Sequence, residues 1–271
     1  MKLGASYNLF DGEELLRDSI LSIRDSVDFI SVVYQKESNY GNPYDPRVDT
    51  ILDELIDEKL VDFAMPIQPD YDPDHYQLHE REHIGAFNEV NKRNVGIEIS
   101  RQKGCTHHLA IDVDEFYLKE EFDAMKEVIE EHDPDTTACK MLTYYKKPTL
   151  ILDPPEDYYV SFIIKINPET KFHWNHPFPV NVDPTRKLKP GKFLQLGRKG
   201  IQMHHMSYVR EDLNIKLTNS SALTNWSDKR ERLVEYWKDW KPGEQAFLAG
   251  IDDFYSDLKE IDNLFNVKVG T

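Results

Sequence analysis

The chain has 271 residues, of which 39% are hydrophobic and 30% charged, with a formal net charge of -16. That length fits one large domain, or one domain with a modest C-terminal extension. The negative balance repels nucleic-acid phosphates and anionic membranes, so it predicts no nucleic-acid partner. An anionic substrate would need local help from a metal or a few placed Arg and Lys residues. The sequence has only two cysteines, Cys105 and Cys139, far apart, and they read as reduced thiols rather than a disulfide framework. No stretch reaches the roughly 18–20 apolar residues of a membrane span, and the N-terminus lacks an apolar signal region. These features predict a soluble, cytoplasmic protein with no membrane span.

In chain order, residues 2–8 form a strand candidate. Asp11-Gly-Glu-Glu14 follows as a capping box, opening a helix with Leu15, Leu16, Ile20 and Ile23 on one face. Val27–Tyr34 is rich in β-branched and aromatic residues and reads as a second strand; a polar loop runs from Gln35 to Pro43. A helix spans Val48–Lys59, and Val61–Met65 is a third strand closed by Pro66. Asp74 with Gln77 marks another helix start, and the chain stays helical in character to Lys103, where Gly104 stops it.

Thr106–Tyr117 is the stretch the rest is organised around. Leu109-Ala-Ile111 reads as a buried strand that ends on Asp112, Asp114 and Glu115. A buried strand gains nothing from carboxylates at its end, since desolvating an unpaired charge is costly. Asp112 and Asp114 share a face if the chain stays extended. Two hard oxygen ligands there suit a divalent cation that bridges to phosphate. The β-α-β-α-β-α-β alternation predicts an α/β fold with a parallel sheet, and ligands bind outside the carboxyl ends of such strands. Neither a dinucleotide fingerprint nor a P-loop is present.

Beyond Tyr117 the pattern predicts an acidic helix over Glu120–His132 and strands over Thr136–Tyr145, Tyr158–Ile166 and Gly200–Tyr208. Residues 167–191 are rich in Pro, Asn and aromatics. From Arg210 the tail reads as helical, with Leu223, Trp226, Leu233, Tyr236, Trp237 and Trp240 as its apolar content.

Three pieces together resemble a GT-A-fold glycosyltransferase of the family 2 type, over roughly residues 2–210. Ala5-Ser-Tyr-Asn8 with Asp11-Gly-Glu-Glu-Leu-Leu16 resembles that family's opening strand and helix. Lys92-Arg-Asn-Val-Gly-Ile-Glu98 ahead of Ile111-Asp-Val-Asp-Glu115 resembles its R-N-x-G helix leading into a D-x-D strand. Met203-His-His-Met-Ser-Tyr208 resembles the late His-containing strand of metal-dependent members. The resemblance implies a GT-A domain over 1–210, with a nucleotide-sugar half (1–117) and an acceptor-side half (118–210). A helical extension, 211–271, packs on the same domain.

By the same resemblance Asp112 and Asp114 engage Mn²⁺ or Mg²⁺ on the diphosphate of a nucleotide sugar. His205 is a further metal-ligand candidate, with His204 the alternative, because only one of two successive strand residues points into a site. Ala5, Tyr7, Asn8, Gln35, Arg93 and Val113 join the two aspartates as nucleotide-sugar-binding candidates, and Arg210 and Lys216 either hold the diphosphate from the C-terminal side or begin a solvated helix. The expected reaction moves a hexose or pentose to a hydroxyl of a glycan or glycoconjugate, with inversion. Inversion needs a carboxylate base, for which Asp153, Glu156, Asp157 and Asp183 are the candidates. Two alternatives stay open: a nucleotidyltransferase that makes sugar nucleotides, and a non-catalytic nucleotide- or carbohydrate-binding module.

Overall fold

The computed structural model describes residues 1–72, 83–221, 228–248 and 254–269. The helix start at Asp74 and Gln77, and the tail residues Leu223 and Trp226, lie outside them.

The first half follows the sequence reading. Strands β1 (Leu3–Leu9), β2 (Phe29–Gln35), β3 (Phe63–Ile67) and β4 (His107–Asp112) are linked by helices α1 (Glu13–Ile23), α2 (Arg47–Asp57) and α3 (Ile84–Gln102). All four strands are parallel, in the spatial order β3-β2-β1-β4. β1 is buried along its whole length, as expected for a strand covered on both faces. Its odd residues Leu3, Ala5, Tyr7 and Leu9 join Leu16, Ile20 and Ile23 of α1 in the main core. Each Leu and Ile among them contributes about 1.5–3 kcal/mol by leaving water.

The helix α3 lies close on β1 because two glycines allow it. A Cβ on Gly96 would stand 2.6 Å from the Ser6 Cβ, and one on Gly4 would stand 3.0 Å from the Ser100 Cβ. That close approach is the physical content of the glycine in the R-N-x-G segment.

Local details differ from expectation. Pro66 does not close β3 but sits inside it, opposite Tyr34; β3 is an edge strand, where a missing N–H is tolerated. No capping box forms at α1: the N-cap is Gly12 at φ 84°, with no side-chain cap. The Asp11 carboxylate faces Arg210 instead, at 3.9 Å.

The second half extends the same sheet with mixed strands. β5 (Glu115–Phe116) follows the D-x-D turn, α4 (Lys119–His132) crosses over, and β6 (Thr136–Tyr145) is a long strand. β7 (Leu150–Asp153) is a strand not foreseen, whereas β8 (Tyr159–Lys165), antiparallel to both β4 and β6, is the one expected. β9 (Phe193–Gln195) and β10 (Gln202–Tyr208) run parallel to β6. β10 also pairs antiparallel with β5, setting His205 opposite Glu115 and His204 opposite Phe116. This pairing brings the late histidines to the acidic turn.

The expectation of a helical tail needs correction. It contains α5 (Leu213–Asn219) and α6 (Arg230–Asp239), but then β11 (Ala246–Leu248) and β12 (Phe254–Glu260). β12 pairs antiparallel with β7, so the tail adds strands to the sheet as well as helices. Trp237 of α6 donates its indole N–H to the Tyr208 carbonyl at 2.9 Å, and with Trp240, Tyr145 and Phe247 forms a second core. Among the described residues, twelve strands form one sheet.

Candidate active site

A cleft of about 400 Å³ opens at the carboxyl ends of β1, β2 and β4, in the size range of small-molecule sites. Asn8, Gln35, Arg93, Asp112, Val113, Asp114, Asp183, His205, Arg210 and Lys216 all line it, as do Asn39, Glu89 and Lys92. A neighbouring hollow of about 430 Å³ shares Asp11, Arg210 and Lys216 with it.

The D-x-D does not continue an extended strand. β4 ends at Asp112 and the chain turns through Val113 and Asp114 before β5. Each aspartate therefore has its own set of cations. The Asp112 Oδ2 accepts from Arg93 at 3.0 Å and from Arg186 at 2.6 Å, and its Oδ1 from the Asn8 amide at 3.4 Å. The Asp114 Oδ2 accepts from Arg210 Nη2 and Lys216 Nζ, both at 2.5 Å. Burial pushes both carboxyls toward protonation. Arg186 and Arg93 overcome it at Asp112, and Lys216 and Arg210 at Asp114, so both are held below the usual carboxylate range. Both aspartates are anionic at neutral pH.

Glu115 behaves oppositely. Burial, with repulsion from Asp112 and Asp114, pushes its carboxyl up to about 7 against the pull of Arg186.

The His pair resolves as strand alternation requires. His205 faces the cleft with its Nε2 3.7 Å from Asp114 Oδ1, while His204 turns to the other side, its Nδ1 2.7 Å from the Tyr144 hydroxyl. Burial lowers His205 to about 4, leaving the imidazole neutral and able to act as a ligand. Ligands of one divalent cation, each at roughly 2.0–2.2 Å, can stand up to about 4 Å apart. Asp114 Oδ1 and His205 Nε2 thus fit a shared ion. Among the described residues no group of three or more His, Cys, Asp and Glu side chains converges on such a point. An ion held by Asp114 and His205 would complete its shell from a bound phosphate and water, the usual manner for Mg²⁺.

Other expected site residues fall elsewhere. Ala5 and Tyr7 are in the core with no exposure, and the Tyr7 hydroxyl lies 3.1 Å from Ser19 Oγ; their strand parity points them toward α1, away from the cleft. Asp153 ends β7 opposite Asp257 of β12. Glu156 accepts from the Thr143 hydroxyl, and Asp157 pairs with Lys140 at the surface. Asp183 alone of the four base candidates lines the cleft, where it accepts from the Thr185 N–H at 2.6 Å.

Sequence reasoning missed Lys92, Arg186 and Glu89 as site residues, whereas Asn39 falls in residues 38–41, a segment that reads either as part of the pocket or as a turn only. Glu89 bridges Lys92 at 3.3 Å, Arg93 at 3.1 Å and the Asn8 amide at 3.2 Å. Its spacing of three and four from the two cations on α3 is the signal that could have found it. Arg186 is brought in by a loop that carries no periodic signal.

No family model matches the chain, and no curated protein matches it. Solved structures do resemble it. They include S. aureus TarS 1-349 in complex with UDP, at 17% identity over 53% of this chain and 36% of that one, TM-score 0.36. S. aureus TarS 1-349 without a named ligand matches at 13% identity over 87% and 72%, TM-score 0.47. GalNAc-T7 with UDP, GalNAc and Mn²⁺ matches at 11% identity over 90% and 52%, TM-score 0.45. The chain thus spans about a third of the UDP complex. These structures are of the GT-A glycosyltransferase type; a likeness at this level assigns neither reaction nor substrate.

Proposed function

We propose that the protein is a nucleotide-sugar-dependent glycosyltransferase, passing a hexose or pentose from a nucleoside diphosphate sugar to a hydroxyl acceptor with inversion. The observation that carries this reading is one cleft, in a chain of net charge -16, where Lys92, Arg93, Arg210 and Lys216 gather around Asp112, Asp114 and His205. Such a charge pattern is suited to a polyanion and a cation together.

Asn8, Gln35 and Asn39 present neutral amides at the ends of β1 and β2 and are assigned to the base and ribose. Gln35 is held by its bond to Asn39, 3.1 Å. Asp112, clamped by Arg93 and Arg186, is assigned to the ribose; Asp114 and His205 are assigned to the metal, Mn²⁺ or Mg²⁺. A bound metal would supply Lewis-acid stabilisation of the departing diphosphate. Arg210 and Lys216 reach the same place from the C-terminal side. They stabilise charge developing on the leaving group without reorganisation, since Asp114 already fixes them. Asp183 is assigned as the base that takes the acceptor hydroxyl proton.

The test is release of nucleoside diphosphate from a set of UDP-, GDP- and dTDP-sugars, with and without acceptor glycans. The reading expects donor-dependent release that falls about 10²–10⁴-fold in Asp183→Asn, the usual share of general-base catalysis. Pyrophosphate release from a nucleoside triphosphate and a sugar phosphate would instead establish the nucleotidyltransferase alternative. Tight nucleotide binding with no turnover would establish the binding module.

A further inference from the structure

Two buried ionic side chains, Arg186 and Glu115, lie behind the cleft and do not line it. Each is 3% exposed. The Arg186 guanidinium donates to the Ala110 carbonyl at 3.3 Å, to Asp112 Oδ2 at 2.6 Å and to the Glu115 carboxylate. Glu115 accepts in turn from the Asp112 backbone N–H at 3.1 Å. Asp112 is thus fixed twice, by its side chain and by its backbone, through one ion pair.

Arg186 also closes the 3-10 turn Pro184–Arg186, whose N-cap is Asp183. The Arg186 carbonyl accepts from the Ser161 hydroxyl of β8 at 2.8 Å. The same residue therefore anchors the segment that carries the base candidate.

We propose that Arg186 and Glu115 are positioning residues, a strut that sets the D-x-D turn and couples the nucleotide side of the cleft to the Asp183 side. The proposal rests on the transferase reading above. Stability alone does not account for the pair: desolvating two charges offsets most of their attraction, and apolar residues of similar volume commonly serve a core as well. What an apolar pair could not do is aim three bonds. A planar guanidinium makes them from one rigid fork, and a lysine ammonium on a flexible stem cannot reproduce that fork. Asp112 needs that aim because its carboxylate sits at the cleft wall between Arg93 and the Asn8 amide. Glu115 also stands opposite His205 in the β5–β10 pairing, so the strut backs the turn from Asp112 to His205.

The experiment measures UDP binding with Mn²⁺ by calorimetry, beside the unfolding temperature, in the wild type and three variants. Arg186→Met leaves Glu115 buried without its cation and is expected to lose both stability and affinity. Adding Glu115→Gln replaces the buried carboxyl with a neutral amide that keeps an acceptor for the Asp112 N–H. The double variant is expected to regain stability but not affinity, which stays about 10–100-fold below wild type, the usual cost of losing a partner behind a ligand. Arg186→Lys keeps the charge and is expected to fall in the same affinity range, and it decides the matter if the double variant does not fold. A merely structural pair predicts that affinity returns with stability in the double variant. That result, or unchanged affinity in Arg186→Lys, overturns the proposal alone. A wild type that binds no nucleoside diphosphate overturns it together with the transferase reading.

Discussion

At the scale of single residues, the D-x-D is a pair of anions, each with its own cations: Arg93 and Arg186 for Asp112, Arg210 and Lys216 for Asp114. Asp114→Asn removes the charge that fixes Arg210 and Lys216 and faces His205. It is expected to weaken Mn²⁺-supported nucleotide binding by about 10–100-fold or more, read by calorimetry, with the far-ultraviolet circular dichroism unchanged. An equal affinity in that variant would take Asp114 out of the site. A second prediction concerns His108, which is fully buried, 2.9 Å from Ser100 Oγ, and lowered by burial to about 3. The unfolded chain accepts a proton near pH 6.5 that the folded chain refuses until about pH 3. The stability His108 confers is therefore present above its unfolded value and lost as pH falls toward the folded one. Between pH 7 and pH 5 that loss is about 2 kcal/mol. His108→Asn should then cost less stability at pH 5 than at pH 7 by that amount in urea unfolding. A cost independent of pH would mean that the imidazole is not held neutral.

At the scale of elements, two glycines set distances on which the site depends. Gly12 has φ +84°, and a Cβ there would stand 1.8 Å from Arg210 Nη1. Gly12→Ala is expected to cost at least about 1–2 kcal/mol from the left-handed backbone and to push Arg210 off Asp114. Thermal unfolding and nucleotide affinity should both suffer. Gly96→Ala forces α3 away from Ser6 and is expected to cost about 1–3 kcal/mol by overpacking, checked by chemical denaturation. A neutral Gly96→Ala would mean that α3 has room to shift. The elements also show what was legible in advance. Of the first four strands, β1, β2 and β4 were readable as short apolar runs that end up buried, and α1 and α2 by the apolar faces they bury. β3, an edge strand with no fully buried position, was readable from its β-branched and aromatic content between turn signals. β7, β11 and β12 were not. β12 has one buried and one half-buried position in seven, so it offers little alternation, and its place is set by pairing with β7 rather than by its own pattern. The tail's aromatic spacing reads as helix because packing against α6, not local preference, decides its end.

At the scale of the whole molecule, the chain order of motifs located the cleft, while long-range pairing decided which residues enter it. Asn8, Gln35 and the aspartates were readable because strand ends of a parallel sheet meet at one edge, and Arg93 through its resemblance to the R-N-x-G helix. Strand parity then removed Tyr7 and Ala5, and separated His205 from His204. Arg186 arrives 74 residues after the aspartate it binds, a distance that no local spacing encodes. The cations of the cleft are each held by an acid facing them: Lys92 and Arg93 by Glu89, Arg210 and Lys216 by Asp114.

The central claim is that Asp114 and His205, with Arg210 and Lys216, hold a metal-bound nucleoside diphosphate. The most direct test is thermal unfolding with UDP, GDP, CMP and dTDP, each with Mn²⁺ and with EDTA. A ligand at about 100 times its Kd adds about 2.7 kcal/mol to the folded state. The account predicts a shift of that order with a nucleoside diphosphate and Mn²⁺ that is lost in EDTA and in Asp114→Asn. An unfolding temperature that no nucleotide moves, with or without Mn²⁺, would contradict it.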